Sequence, residues 1–197
     1  MELTESINKG SQINSIEYWN KQKLVMCAFM DIPKLDNLEQ VHKVWNDNWQ
    51  NTSTQIDYSK NQVTHYANST VRKPVVIQLK AIPEVPYPVY LDKLTETKDG
   101  LAFASALLLG SKTASKQKVI SEYKRISGKD ANQIRFWIPD ASSRKAYPLR
   151  SFRCWFNRVY SELGLSCGDL PDYSNWSERS FGVRSIVQKP KASAKEV

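Results

Sequence analysis

Glycine, histidine and cysteine are scarce in this 197-residue chain, with seven, two and three copies. None of the glycines falls in a GxGxxG or GxxxxGK[ST] run, so a P-loop or dinucleotide-binding fold is unsupported. A histidine-dependent triad would have to use His42 or His65, and neither sits in a recognisable catalytic setting. Cys27, Cys154 and Cys167 are odd in number, widely spaced and without a CxxC pair. That pattern argues against a disulfide framework and a structural zinc site, and for a reducing compartment. Long apolar runs are also missing. The two longest, Leu24 to Met30 and Leu101 to Leu109, fall well short of the ~20 residues that span a bilayer. The opening Met1-Glu-Leu-Thr-Glu is acidic and polar, unlike a secretory signal. The expected location is cytoplasmic, with no membrane partner.

What is present is a chain able to bury a core, with 41% hydrophobic residues, and a formal net charge of +8. The distribution of charge says more than its total. Residues 1–110 hold 11 Lys/Arg against 12 Asp/Glu, and residues 159–197 hold five of each. Residues 111–158 hold 12 Lys/Arg against three Asp/Glu, so the surplus lies in one stretch. Lys and Arg neutralise phosphates and release counterions, and a concentrated basic stretch is the footprint of nucleic-acid binding. The same stretch carries Tyr123, Phe136, Trp137, Tyr147, Phe152, Trp155 and Phe156, rings of the kind that stack on unpaired bases or fill a core.

Along the chain, polar opening residues lead to Leu24–Met30, which Pro33 interrupts. Asp36 is placed to cap a helix through about Gln50, with Leu38, Val41, Trp45 and Trp49 at helical spacing. Residues 54–58, 62–66 and 71–82 have strand composition with polar connectors. Pro83, Pro86 and Pro88 then predict an extended connector. A division into residues 1–91, residues 92–187 and a disordered tail 188–197 follows from the change in composition. In the second part, Thr97 to Leu109 reads as an apolar helix stopped by Gly110. A second helix runs from about Ala114 to Ile126, with Thr113 or Ser115 as its cap and Gly128 as its stop. Ile134, Phe136 and Ile138 alternate as one face of a strand, and Asp140 to Lys145 forms a hairpin tip. Pro148 to Leu163 reads as an amphipathic helix whose apolar positions span an arc of roughly 140°.

Three constellations are candidates for function. Ala106, Leu109, Gly110 and Val119 resemble positions of a helix-turn-helix unit, with departures at Ser111 and Lys116, where apolar residues usually stand. That resemblance implies a DNA-contacting second helix with Lys116, Lys118, Lys124 and Arg125, and a wing carrying Arg144 and Lys145. Arg150, Arg153 and Asn157 would form a polar stripe on the 148–163 helix, suited to phosphate or base edges. There, Trp155-Phe156-Asn157-Arg158 resembles a homeodomain recognition helix, without the surrounding three-helix context. Finally, Val75-Val-Ile-Gln-Leu-Lys80 resembles the PD-(D/E)xK nuclease motif. That resemblance implies Glu39, Asp57, Gln78 and Lys80 as the catalytic set around Mg²⁺, with Gln78 departing from the usual acid.

The expected fold class is α+β: a small N-terminal mixed sheet with helices, then a basic, mainly helical and winged-helix-like second half. The expected function is nucleic-acid binding, DNA in preference, by a regulator or accessory protein without a cofactor. The alternatives are a Mg²⁺-dependent nuclease and an adaptor or inhibitor docking on an acidic protein. Sequence sets no oligomeric state.

Overall fold

The computed structural model describes residues 2–4, 9–35, 37–39, 42, 49–59, 62–67, 75–140, 142, 144, 152–159, 162–169, 178–180 and 182–184. These residues form an α+β arrangement. Its first elements are β1 (Glu2–Leu3), α1 (Gln12–Lys21), β2 (Val25–Met26) and a 3₁₀ segment, Phe29–Lys34, with Pro33 inside it. An antiparallel meander follows: β3 (Trp49–Ser59), β4 (Gln62–Ala67) and β5 (Val75–Leu79). Then come β6 (Val89–Tyr90), α2 (Leu91–Leu94), α3 (Lys98–Leu109), α4 (Lys116–Ser127) and β7 (Ile134–Trp137). The chain closes with β8 (Phe152–Val159), β9 (Glu162–Asp169), β10 (Glu178–Arg179) and β11 (Gly182–Arg184).

The main sheet runs β5-β4-β3-β8-β9-β7-β6, with β10 paired to the start of β3. All its pairs are antiparallel except β7–β9 and β10–β3. A small second sheet has the order β1-β11-β2. Strands from both sides of residue 91 therefore share one sheet. The main buried cluster likewise joins Phe29, Ile56 and Val63 to Phe103, Tyr123, Phe136 and Leu165. Helix α3 is apolar almost all round, and Phe103 to Leu108 are all buried. It lies on the sheet face that carries Tyr58 and His65, where Phe103 meets both rings. Helix α4 is one-sided. It buries Val119, Tyr123 and Ile126, spaced i, i+4, i+7, and leaves its polar positions outside.

Local chemistry sets the helix ends. The Thr97 side chain accepts from Gly100 N, and Gly110 closes α3 in the left-handed region at φ 64°. Ser115 accepts from Lys118 N, and Gly128 closes α4 at φ 66°. Helix α1 is tied to β3 by a buried amide. Gln12 Nε2 donates to Thr52 O and Thr54 O, and its Oε1 accepts from Gln55. This anchor accounts for part of an unusual buried polar run, Asn51 to Thr54.

Several sequence expectations are corrected here. Residues 152–159 and 162–169 are paired strands, β8 and β9, and not the middle and end of a helix. The segment is aromatic and apolar at strand spacing as well as helical spacing, and the sheet supplies it with partners on both edges. Among its described residues the second half accordingly mixes helix and strand. The expected hairpin at Asp140 is not seen among the described residues. β7 pairs with β6 and β9, and Ser142 and Arg144 have helical backbone. Trp49 and Gln50 open β3, so the helix expected to reach Gln50 stops before them, although Leu38, Glu39 and His42 are helical. Asp36, Val41, Trp45, residues 71–74, Pro148 and the tail 188–197 lie outside the described residues.

Candidate nucleic-acid interface

Of the eight basic residues singled out from sequence, five have described side chains: Lys116, Lys118, Lys124, Arg125 and Arg144. They do not stand alike. At the C-terminal end of α4, Lys124 Nζ is 2.6 Å from Asp130 Oδ1. Arg125 donates twice to Glu122 Oε2, at 2.9 and 2.7 Å, and once to Pro33 O at 2.9 Å. Arg144 is half-buried and donates to Pro139 O at 2.6 Å. Lys116 and Lys118, in the first turn of α4, are exposed and meet no carboxylate among the described residues. That turn has no acidic residue, and the helix dipole adds partial positive charge at the same end. Lys145 and Arg150 lie outside the described residues. Arg153 is on β8, in register with Gln55 on one side and Asp169 on the other. The helical stripe expected for Arg150, Arg153 and Asn157 therefore does not form.

Sequence reasoning passed over Lys112. It sits in the turn between α3 and α4, exposed, and its Nζ donates to Gln78 O on β5 at 3.3 Å. Its place in the basic stretch, two residues after the Gly110 stop, was the available signal. The turn is braced by hydroxyls: Ser105 Oγ donates to Ser111 O, and Ser111 Oγ lies 3.3 Å from Thr113 Oγ1. A third arginine of the basic stretch, Arg135, is also committed. It forms an ion pair with Glu162 and lies over the Trp137 ring, 5.2 Å from its centroid. Tyr90 OH in turn donates to Glu162 Oε1 at 3.2 Å.

The four residues of the nuclease resemblance are partly brought together. Asp57 on β3 is opposite Thr64 on β4, and Thr64 is opposite Gln78 on β5, so the three form one row across the meander. Lys80 is exposed just beyond β5. The Gln78 amide donates to Gln62 Oε1 at 2.6 Å. Glu39 is exposed on helical backbone, outside the sheet. Among the described residues no group of three or more His, Cys, Asp or Glu is arranged to hold a metal ion. Among them, too, no helix is long and apolar enough to cross a membrane.

On the other face of the same strands, His65 is fully buried, and neither ring nitrogen has a hydrogen-bond partner. Its ring meets the Phe103 ring edge-on, with centroids 4.8 Å apart. Desolvation lowers its pKa from 6.5 to about 3, so the ring is neutral.

No protein-family model, curated protein or solved structure matches the chain.

Proposed function

We propose that this protein binds nucleic acid, DNA in preference, through the exposed amino-terminal end of α4 and the turn before it. One observation carries the reading. The cations at that end, Lys112, Lys116 and Lys118, have no carboxylate partner among the described residues, whereas those at the other end are held by Asp130 and Glu122. Unopposed lysines at a helix amino terminus attract phosphate by charge and by dipole. In this reading α4 is the contacting helix, and α3, joined to it by a glycine turn, is its support. Lys116→Gln with Lys118→Gln tests this. Each phosphate contact contributes about −0.9 to the slope of log K against log salt on duplex DNA, so the double variant flattens the slope by up to about 2. Unchanged affinity and slope would reject the interface.

A second reading, a metal-dependent nuclease, draws support from the row Asp57–Thr64–Gln78 with Lys80 at its end. It requires Asp57→Ala and Lys80→Ala each to abolish Mg²⁺-dependent cleavage while leaving binding nearly intact. We expect the unmodified chain not to cleave. Cleavage lost in both variants would reverse that expectation.

A further inference from the structure

Resting on that reading, we propose that the phosphate-binding surface continues from α4 onto the edge of the sheet as a four-lysine strip, Lys80, Lys112, Lys116 and Lys118, which holds a phosphodiester backbone without reading its bases.

The continuity comes from Lys112. Its Nζ donates to Gln78 O, fixing the α3–α4 turn against β5. Gln78 is two residues before Lys80, and β5 is the outermost strand on its side of the main sheet. Lys80 and Lys112 are both exposed, as are Lys116 and Lys118 on the other side of the turn. An ammonium carries three donors, so Lys112 can keep its bond to Gln78 O and still meet a phosphate oxygen. The strip thus joins two elements distant in sequence, and it gives Lys80 a binding role in place of the catalytic one.

The indifference to sequence comes from the arginines. Bidentate readout of guanine needs a guanidinium fork free to face a base edge. Arg125 directs its Nε and Nη2 at Glu122 and Pro33, Arg135 is paired with Glu162, and Arg144 donates to Pro139 O. Among the described side chains, the cations left facing solvent on this surface are lysines, compact charges that hold phosphate and carry little base information. The rings of Tyr123 and Phe136, two aromatics of the basic stretch, are wholly buried and offer no stacking surface.

The test uses the full chain. Fluorescence anisotropy is measured on several unrelated duplexes of equal length and on the matching single strands, for the unmodified protein and for Lys80→Gln, Lys112→Gln, Lys116→Gln and Arg125→Gln. Affinities for the duplexes should agree within about fivefold, the lower end of the discrimination that one good base contact gives. Lys80→Gln and Lys112→Gln should each weaken every probe alike and flatten the salt slope by about 0.9 on duplex, or about 0.7 on single strands. Arg125→Gln should leave the relative affinities of the duplexes unchanged. If Lys116→Gln flattens the slope while Lys80→Gln and Lys112→Gln do not, the strip is overturned and the interface is confined to α4 itself. A strong preference for one duplex that Arg125→Gln abolishes overturns the claim of indifference. No binding to any probe overturns both the strip and the interface on which it rests.

Discussion

His65 is the residue whose energetics the structure defines most sharply. Its imidazole is buried with both nitrogens unpartnered, a cost that a same-sized apolar side chain would not carry. With its pKa at about 3 when folded and 6.5 when exposed, the unfolded chain takes up a proton below pH 6.5 that the folded chain refuses until about pH 3. Stability therefore falls as pH falls through that window, by up to about 1.4 kcal/mol per pH unit from this group. His65→Leu should be neutral or stabilising at pH 7. Between pH 6.5 and 4.5 it should lose about 2–3 kcal/mol less than the unmodified chain in urea unfolding. Equal losses in both proteins would contradict the burial of a neutral ring. Strand alternation already puts His65 on the face of Val63, so its burial was legible. Its lack of a partner was not, because that depends on Phe103 arriving from a helix 38 positions later.

At the scale of elements, α3 and α4 were readable because their signals are local. A hydroxyl cap and a left-handed glycine bracket each, and both act within a turn of the helix end. The meander was readable for a similar reason, since its strands alternate and are neighbours in sequence. β8 was not. Its partner β3 lies about a hundred residues earlier, and Phe-Arg-Cys-Trp-Phe-Asn-Arg-Val satisfies a helical arc as well as a strand. The docking of α1 through Gln12 was equally hidden, because a polar side chain gives no periodic sign that it will be buried. The join of α2 to α3 provides a sharp element-level test. Gly100 sits in the first turn of α3, and a Cβ there would lie 1.9 Å from Leu94 O. Helix propensity alone favours alanine over glycine by about 1 kcal/mol. The clash reverses the sign, so Gly100→Ala should destabilise by about 1–3 kcal/mol. Thermal unfolding reads the difference, and a raised Tm would mean that α2 and α3 do not approach this closely.

On the scale of the whole molecule, the division of charge and the architecture do not coincide. The sequence changes composition near residue 91, yet the main sheet and its core draw on residues from both sides. Charge is a surface property and can change along a chain without a break in the packing beneath it. The core instead follows apolar positions, which run through both halves. The basic surplus is also smaller in effect than its count, since Lys124, Arg125 and Arg135 are matched by carboxylates. What remains exposed and unmatched among the described residues of the basic stretch is the lysine cluster at the head of α4, which the proposed strip extends to Lys80 beyond β5. Sequence identified Lys116 and Lys118 from charge density. It could not foresee that Lys112 would bridge to β5, which only the tertiary fold creates.

The central claim is that this cluster holds phosphate, and salt dependence measures it most directly. Binding of the intact chain to a short duplex is followed by anisotropy across the range from about 50 to 200 mM salt, where phosphate contacts lose most of their affinity. Four lysine contacts give an expected slope of about −3 to −4 in log K against log salt. Affinity that stays flat across this range, or a chain that fails to bind at its lower end, would contradict the account and move an acidic protein partner into first place.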